Sequence, residues 1–479
     1  MTEAMKMYIG GQLVDGKQGK TFDVINPATD QSVGTIAWAD ASDAQAALAA
    51  ADEAFASWST TSIAERVRWM GQLRDAVIDN QDRLRELIQL EMGKNWAGTE
   101  EDYESLRDSL HFYAEEITRF RPEALVDSSG THSHWLVNEP VGVAVAFIAW
   151  NFPLLNFAFK IGPAMAAGCP VIIKPSAHSP MSAYAVGELC ADVGLPPGVV
   201  NVICGDSTAV GDTLSESPIP ALITIIGSVA TGRHVMRVGA ASIKRYSMEL
   251  GGNAPVLVFA DADLDLAAKV VGNVKFGNAG QICVTPNRVF VEASVADAFK
   301  QRLVERANST KVGFGVRSDY EMGPLIDAAA WQRVDGLVKD ALADGANLLA
   351  GGGRPAGLDT GNFYAPTVID RVTSSMRIYK EEIFGPVVSI IDFTDEEAVL
   401  RDANDTDAGL TAYVFTRDIA KADRFAARLR FGEIQINGVK YGIDLPHGGI
   451  KQSGISCDCS HLALVDYLAP KRISRGLVA

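Results

Sequence analysis

Residues 141–176 read VGVAVAFIAWNFPLLNFAFKIGPAMAAGCPVIIKPS. An apolar run, Val141–Ala149, gives way to Trp150-Asn151 and then to helical spacing around Leu155–Ala167; Val171–Lys174 is a second apolar run. Apolar runs without polar alternation suit strands buried on both faces. A helix joining two of them is the unit of a parallel sheet. The 19 positions from Val141 to Phe159 carry no charge. Gly142, Asn151, Pro153 and Asn156 interrupt them, so a strand and a helix are expected and not a membrane span.

The pattern continues outward. Val171–Lys174 is followed by a helix over Met181–Val193, Val199–Cys204 by Ala209–Ser215, and Leu222–Ile226 by Ala230–Ala240. This alternation predicts a doubly wound parallel sheet, whose ligands sit beyond the carboxyl ends of its strands. Those ends are Trp150-Asn151, Lys174-Pro175-Ser176, Gly205-Asp206-Ser207 and Gly227-Ser228. Lys174 offers a donor for ribose or phosphate, and Gly227-Ser228 opens a helix whose first amides can hold a phosphate. A nucleotide crevice is expected, although the G-x-G-x-x-G fingerprint is absent.

A second α/β unit begins near Gly251, with strands at Pro255–Phe259 and Val289–Glu292 and helices at Leu264–Phe276 and Ala296–Ala307. Gly251-Gly252 makes a natural hinge between the units. Helical spacing from Ala41 to about Asn95, and from Glu101 to Thr118, predicts cladding without chemistry. Thr131–Val137 and the segment from Asp466 to the end read as strands outside either unit, with Asn138-Glu139-Pro140 as a turn. Strands of that kind tend to pair with something else, another subunit included.

A chain of 479 residues exceeds what one core serves, so two or three domains are expected. The net charge of −16 argues against nucleic acid or an anionic membrane as partner. The six cysteines form no disulfide framework and no paired C-x-x-C motif, so no metal site is expected. Cys457-x-Cys459 reads as two unrelated thiols in a loop. The opening MTEAMKMYIGG lacks the apolar core of a signal peptide, and a reducing, cytoplasmic setting is expected.

The candidate for chemistry is Cys283, in Phe276-Gly-Asn-Ala-Gly-Gln-Ile-Cys283. A thiol behind such a turn can lie close to backbone N–H groups, which stabilise a thiolate and later an oxyanion. A half-buried packing cysteine is the alternative.

These pieces together resemble the NAD(P)-dependent aldehyde dehydrogenase superfamily over essentially the whole chain. The markers are Trp150-Asn-Phe-Pro153, Lys174-Pro-Ser176, Gly227-Ser228, Met248-Glu-Leu-Gly-Gly252, Gly280-Gln-Ile-Cys283, Glu381-Glu-Ile-Phe-Gly-Pro386 and Gly448-Gly-Ile-Lys-Gln-Ser-Gly454. The resemblance implies an α/β fold of two doubly wound parallel-sheet domains, one Rossmann-like for the cofactor and one catalytic, plus a small β oligomerisation arm. The implied divisions are 1–121 with 141–250 for the cofactor, 251–446 for catalysis, and 122–140 with 447–479 for the arm and C-terminal segment. A homodimer or homotetramer is implied with it.

The resemblance also implies roles. Cys283 would attack the aldehyde carbon, and Asn151 with the Cys283 N–H would hold the oxyanion. After hydride leaves for the nicotinamide, Glu249 would activate the water that hydrolyses the thioester. Lys160 would support proton relay. From the residues alone, Glu249 could instead cap a loop, Asn151 could cap a helix, and Lys160 could be a solvated helix lysine. The implied cofactor positions are Ile148, Trp150, Lys174, Ser176, Ala177, Ser207, Gly211, Gly227, Ser228, Leu250, Glu382 and Phe384, with Glu381 a surface neighbour. The implied substrate tunnel involves Phe152, Phe159, Tyr441 and His447.

Several positions depart from relatives. Ile226 replaces a common Thr, and His447 a common Phe. Ala177 stands where NAD-preferring relatives often carry a Glu that repels a 2′-phosphate, so NAD or NADP is expected, with NADP accepted. Relatives that oxidise succinate semialdehyde hold its carboxylate with arginines, at positions that are Phe159 and Cys457 here. A neutral or aromatic aldehyde is therefore expected over an acidic one. Two other activities stay open: an acylating enzyme, which would pass the thioester to coenzyme A and lack Glu249, and a cysteine hydrolase, which would need a histidine beside Cys283.

Overall fold

The computed structural model describes residues 3–477. Two sheets carry two separate apolar cores. The first sheet has five parallel strands in the spatial order Arg245–Glu249, Pro220–Ile226, Val143–Phe147, Val171–Lys174 and Val200–Val202. Antiparallel edge strands flank them: Gly454–Ile455 on one side, and Met7–Ile9 with Gln12–Val14 on the other. Strand order reverses between Val143–Phe147 and Pro220–Ile226. The chain leaves those two strands in opposite directions, and the gap beyond their carboxyl ends is the crevice of a doubly wound fold.

Arg245–Glu249 corrects the sequence reading, which treated this stretch as the approach to a hinge. It is a fifth parallel strand, paired from Leu222↔Arg245 to Ile226↔Glu249, and it places Glu249 at a carboxyl end. The second sheet orders Asn347–Ala350, Thr367–Asp370, Val387–Phe393, Pro286–Glu292, Ala254–Val258, Thr411–Phe415 and Glu433–Ile436, with only the first antiparallel. Here Gly251-Gly252, Cys283 and Glu382 all precede strands. The carboxyl-end rule therefore holds for the first sheet, while the second presents its amino ends to the same gap.

A third sheet, outside both cores, joins Glu123–Val126, His132–Pro140 and Leu468–Gly476 in antiparallel order. Asn138-Glu139-Pro140 is strand and not turn, because Leu468–Pro470 continues the ladder opposite it. Only 468–476 of the C-terminal segment joins this sheet. Gly454–Ile455 completes the first sheet, and the helix Ser460–Tyr467 packs on the helix Pro153–Ala167.

That second helix positions the site. Pro153 starts it, where a missing N–H costs nothing, and Gly168 ends it with φ at 93°. Asn151 does not cap it. The cap is supplied by Asp102 of the cladding helix Gly98–Glu116, whose Oδ1 accepts from the N–H groups of Leu154 (3.1 Å) and Leu155 (3.2 Å). The other oxygen of Asp102 accepts from Lys94 Nζ at 2.6 Å, and both side chains are buried. Lys94 Nζ also lies 3.4 Å from the centre of the Phe152 ring. Helical cladding thus anchors the loop that carries Asn151. Asp102→Ala leaves a buried ammonium and two open amides, and is expected to destabilise the fold by about 3–5 kcal/mol. Urea unfolding measures this, and a loss below about 1 kcal/mol contradicts the account.

Candidate active site

The loop before Cys283 is wound tightly. Asn278 and Ala279 both have left-handed φ, at 48° and 53°. Gly280 follows at 70°, where an added Cβ would strike the Gly385 carbonyl. The Gly280-Gln-Ile-Cys283 and Glu382-Ile-Phe-Gly-Pro386 segments are thus pressed together. Gln281 is buried and locks the loop: its Oε1 accepts from Ile326 N at 2.8 Å, and its Nε2 donates to Asn278 O at 3.0 Å. Asn278 Nδ2 donates to Asn151 O at 3.0 Å, which ties the cysteine loop to the Asn151 loop.

Asn151 is buried, and its Nδ2 donates to Gln281 O at 3.1 Å. Asn156 Nδ2 donates to its Oδ1 at 3.3 Å, which fixes the amide so that Nδ2 faces the cysteine loop. Glu249 is buried too, and its Oε1 accepts no hydrogen bond among the described residues. Its backbone carbonyl accepts from Gly227 N at 3.1 Å. The glycines that follow it make room: a Cβ on Gly251 would meet the Glu382 carboxylate, and one on Gly252 the Cys283 carbonyl.

Cys283 is half-buried and free. Burial, and then the Glu249 carboxylate, push its thiol well above the ordinary range. His447 Nε2 lies 4.0 Å from the Cys283 Sγ. His447 Nδ1 lies 2.7 Å from Glu433 Oε1, and Nε2 lies 3.7 Å from Glu249 Oε1. Burial works against the imidazolium, but contacts to Cys283, Glu249 and Glu433 outweigh it and raise the His447 pKa well above its usual value. The residues at 249, 283, 433 and 447 come from four segments. Sequence reasoning took His447 only as a tunnel residue and missed Glu433. The one available signal was Glu433-Ile-Gln435, polar at alternate positions of a short strand, which puts both polar side chains on one face.

Three cavities meet here. A cleft of about 590 Å³ lies along the carboxyl ends of the first sheet, lined by Ile148, Trp150, Lys174, Ser176, Ser207, Gly211, Gly227 and Ser228 among others. Ser228 caps the helix Val229–Gly239, its hydroxyl accepting from Thr231 N at 3.1 Å. The cleft also takes in Asp212 and His234, 2.7 Å apart, which the sequence did not suggest. A second cavity of about 330 Å³ continues inward past Trp150, Asn151, Gly227, Ser228, Glu382 and Phe384 to Glu249 and Cys283. Phe384 holds φ at 48°, and its ring meets Trp150 edge to face at 5.6 Å. Burial pushes the Glu382 carboxyl up to about 7, and Gly252 N donates to it at 3.1 Å. Glu381 turns outward to Arg377. Arg333, also missed, lines this cavity and donates to the carbonyls of Glu382 and Ile383. The third cavity, about 410 Å³, approaches from the opposite side. It is lined by Phe152, Phe159, Tyr441 and His447, with Leu155, Ile434 and Leu445, and ends on the same Asn151, Glu249 and Cys283.

Three expected site residues lie apart from these cavities. Lys160 is fully buried, not solvated, and its Nζ holds both oxygens of Asp458 at 2.6 and 2.8 Å. Ala177 packs against the first core beside Ser176. Leu250 is buried under Gly232, its N–H donating to Ser453 O at 2.8 Å.

A dinucleotide-sized cleft that narrows onto a thiol and a buried carboxylate, met from behind by an apolar tunnel, defines an oxidoreductase that works through a cysteine. The chain belongs to the aldehyde dehydrogenase family, whose profile matches residues 13–473. It is an NAD(P)-dependent enzyme that oxidises an aldehyde to the acid. It is 39% identical over 470 residues to a mitochondrial succinate-semialdehyde dehydrogenase of Arabidopsis thaliana, covering 98% of this chain and 88% of that one. It is 36% identical to the NADP(+) succinate-semialdehyde dehydrogenase of Escherichia coli (strain K12), covering 98% and 97%. Among solved structures, betaine aldehyde dehydrogenase of Staphylococcus aureus in complex with NAD+ is similar at a TM-score of 0.96 and 34% identity, covering 99% and 95%.

Proposed function

We propose that this enzyme oxidises an uncharged aldehyde, aromatic ones included, and releases the free acid. The observation that carries this is the wall of the tunnel. Among the described residues no arginine lines it. Its carboxylates are Glu101 and Glu433 beside the catalytic-side Glu249, and its one lysine, Lys440, is exposed at the rim. A second carboxylate on the substrate would enter a low-dielectric pocket where the one imidazole lining it among the described residues, His447, is already engaged by Glu433. The rest of the wall, Phe152, Leu155, Phe159, Ile434 and Leu445, suits an apolar body, and Tyr441 offers a polar contact.

The chemistry is assigned as follows. Cys283 Sγ adds to the aldehyde carbon, and its proton passes to solvent through the tunnel as the C–S bond forms. Asn151 Nδ2 and the Cys283 N–H stabilise the oxygen that becomes an oxyanion. A bound nicotinamide would supply the hydride acceptor for the resulting thiohemiacetal. Trp150, Lys174, Ser176, Gly227, Ser228 and Glu382 would hold that dinucleotide, and the bare Gly251 leaves room for the Glu382 carboxylate. Glu249 then takes a proton from the water that attacks the thioester. Its unengaged, buried Oε1 supports this role and favours water over coenzyme A as acceptor. The Lys160–Asp458 pair acts as a fixed charge pair behind His447, since both its partners are already engaged.

NADP is accepted. No acid stands at Ala177, and among the described residues the one acid lining the cleft, Asp212, is engaged by His234. Lys174 and Ser176 line the cleft and offer donors to a 2′-phosphate. The exposed sheet of Val126, Trp135 and Ile473 serves as the arm that joins subunits into a dimer or tetramer. Six free cysteines support a reducing compartment such as the cytoplasm, and among the described residues no helix is long and apolar enough to cross a membrane.

One assay tests these assignments. Purified enzyme is mixed with benzaldehyde, aliphatic aldehydes and succinate semialdehyde, with NAD or NADP, and the reduced nicotinamide is followed by absorbance. Benzaldehyde is expected to exceed succinate semialdehyde at least about tenfold in kcat/KM, without coenzyme A. NADP is expected within about tenfold of NAD. A preference for the dicarboxylic substrate refutes the tunnel reading, and a strong NAD preference refutes the cofactor reading. A second reading, hydrolysis of esters without redox, is favoured by the Cys283–His447–Glu433 line. Ester hydrolysis that proceeds with no aldehyde oxidation by either dinucleotide would select it.

A further inference from the structure

Beyond the oxidation itself, three side chains from separate segments aim one ligand atom each at a common point. A carboxylate oxygen of Glu249, Cys283 Sγ and a ring nitrogen of His447 all lie within 4.8 Å of one another. Sγ and Nε2 are 4.0 Å apart, and Nε2 and Glu249 Oε1 are 3.7 Å apart. Zinc bonds of about 2.0–2.3 Å in a tetrahedron separate ligand atoms by roughly 3.3–3.7 Å. Small side-chain rotations close the remaining gap. Two further observations point to a ligand. Glu249 Oε1 is buried and accepts no hydrogen bond among the described residues. Glu433 Oε1 holds His447 Nδ1 at 2.7 Å, the outer carboxylate that fixes a ring so that its other nitrogen faces a metal.

We propose that Glu249, Cys283 and His447 form a binding site for a divalent cation of the zinc class, which occupies the place of the aldehyde and reversibly stops the enzyme. A thiolate, a carboxylate and a neutral imidazole balance a 2+ charge, and the thiol proton and the His447 imidazolium proton are both released to solvent on binding. Thiolate with imidazole selects zinc, cobalt or cadmium over magnesium or calcium. The fourth position opens on the tunnel and takes water. While the ion is bound, the sulfur lone pair that attacks the aldehyde is engaged. No spacing motif announces the site, because its ligands stand at 249, 283 and 447 and converge only in the folded chain.

The test is a titration of the full-length, reduced, chelator-treated enzyme with cobalt(II), read by absorbance. One cobalt per chain is expected, with a thiolate-to-cobalt charge-transfer band that zinc abolishes on displacing it. His447→Phe is expected to lose the band. Glu433→Gln, which keeps the ring and the volume, is expected to weaken binding about 10–100-fold, and it carries the test if His447→Phe does not fold. Zinc is expected to raise the KM for aldehyde and leave kcat unchanged. A wild-type enzyme without the band, or cobalt bound by Glu433→Gln as tightly as by wild type, overturns the site. Inhibition that aldehyde does not relieve overturns the shared position. The cobalt band reports the site whichever aldehyde proves to be the substrate.

Discussion

Cys283→Ala is expected to abolish aldehyde oxidation, leaving less than about a thousandth of wild-type turnover with any aldehyde and either dinucleotide. The reason is positional. The inner end of the dinucleotide cleft and the inner end of the tunnel share Asn151, Glu249 and Cys283, so Sγ of Cys283 is the thiol that both cavities reach among the described residues. Cys459 also lines the tunnel, but it is 1% exposed and does not line the inner cavity that reaches Trp150, Glu382 and Phe384. Cys459→Ser is therefore expected to retain turnover. The loop around position 283 is held by Gln281 and Asn278 and not by the thiol, so the alanine variant keeps its fold. Absorbance of the reduced nicotinamide measures the loss. Turnover at even a tenth of wild type would remove the cysteine from the mechanism.

Glu249→Gln is expected to act on a later step. Its amide keeps the size of the carboxylate but takes no proton from water. General base catalysis is worth about 10²–10⁴ in rate, and kcat should fall by that range. Thiohemiacetal formation and hydride loss need no base at 249, so a first burst of about one reduced nicotinamide per subunit should survive. Mass spectrometry should then find the acyl group on Cys283. Normal steady-state turnover with no adduct would assign the base elsewhere, and His447, 3.7 Å from the same carboxylate, would be the first group to examine.

Much of the fold was legible before any coordinates. Val143–Ala146 and Val171–Ile173 are buried throughout, and a strand buried on both faces must be apolar at every such position. Arg245–Glu249 escaped notice because it begins with a charge at its exposed end and runs into two glycines, signals that read as a boundary. Asn138-Glu139-Pro140 read as a turn because its residues are common in turns, yet an edge ladder with Leu468–Pro470 holds it extended. Local propensity yields when a long-range partner supplies the hydrogen bonds.

The sequence by itself determined the two α/β units, the cysteine loop, and the order of the residue types that surround it. Each of those is written in neighbouring positions: periodicity within an element, or a glycine where the backbone turns left-handed, as at Gly280. Tertiary structure alone decided what faces what. It set Asp102 under the Asn151 loop, closed Lys160 on Asp458 across 298 positions, and brought His447 with Glu433 to within reach of Cys283. The periodicity of a segment says which of its faces is buried and nothing about the side chain that will be buried against it. That information arises only when separate elements pack, and here it converts a tunnel histidine into a neighbour of the Cys283 sulfur.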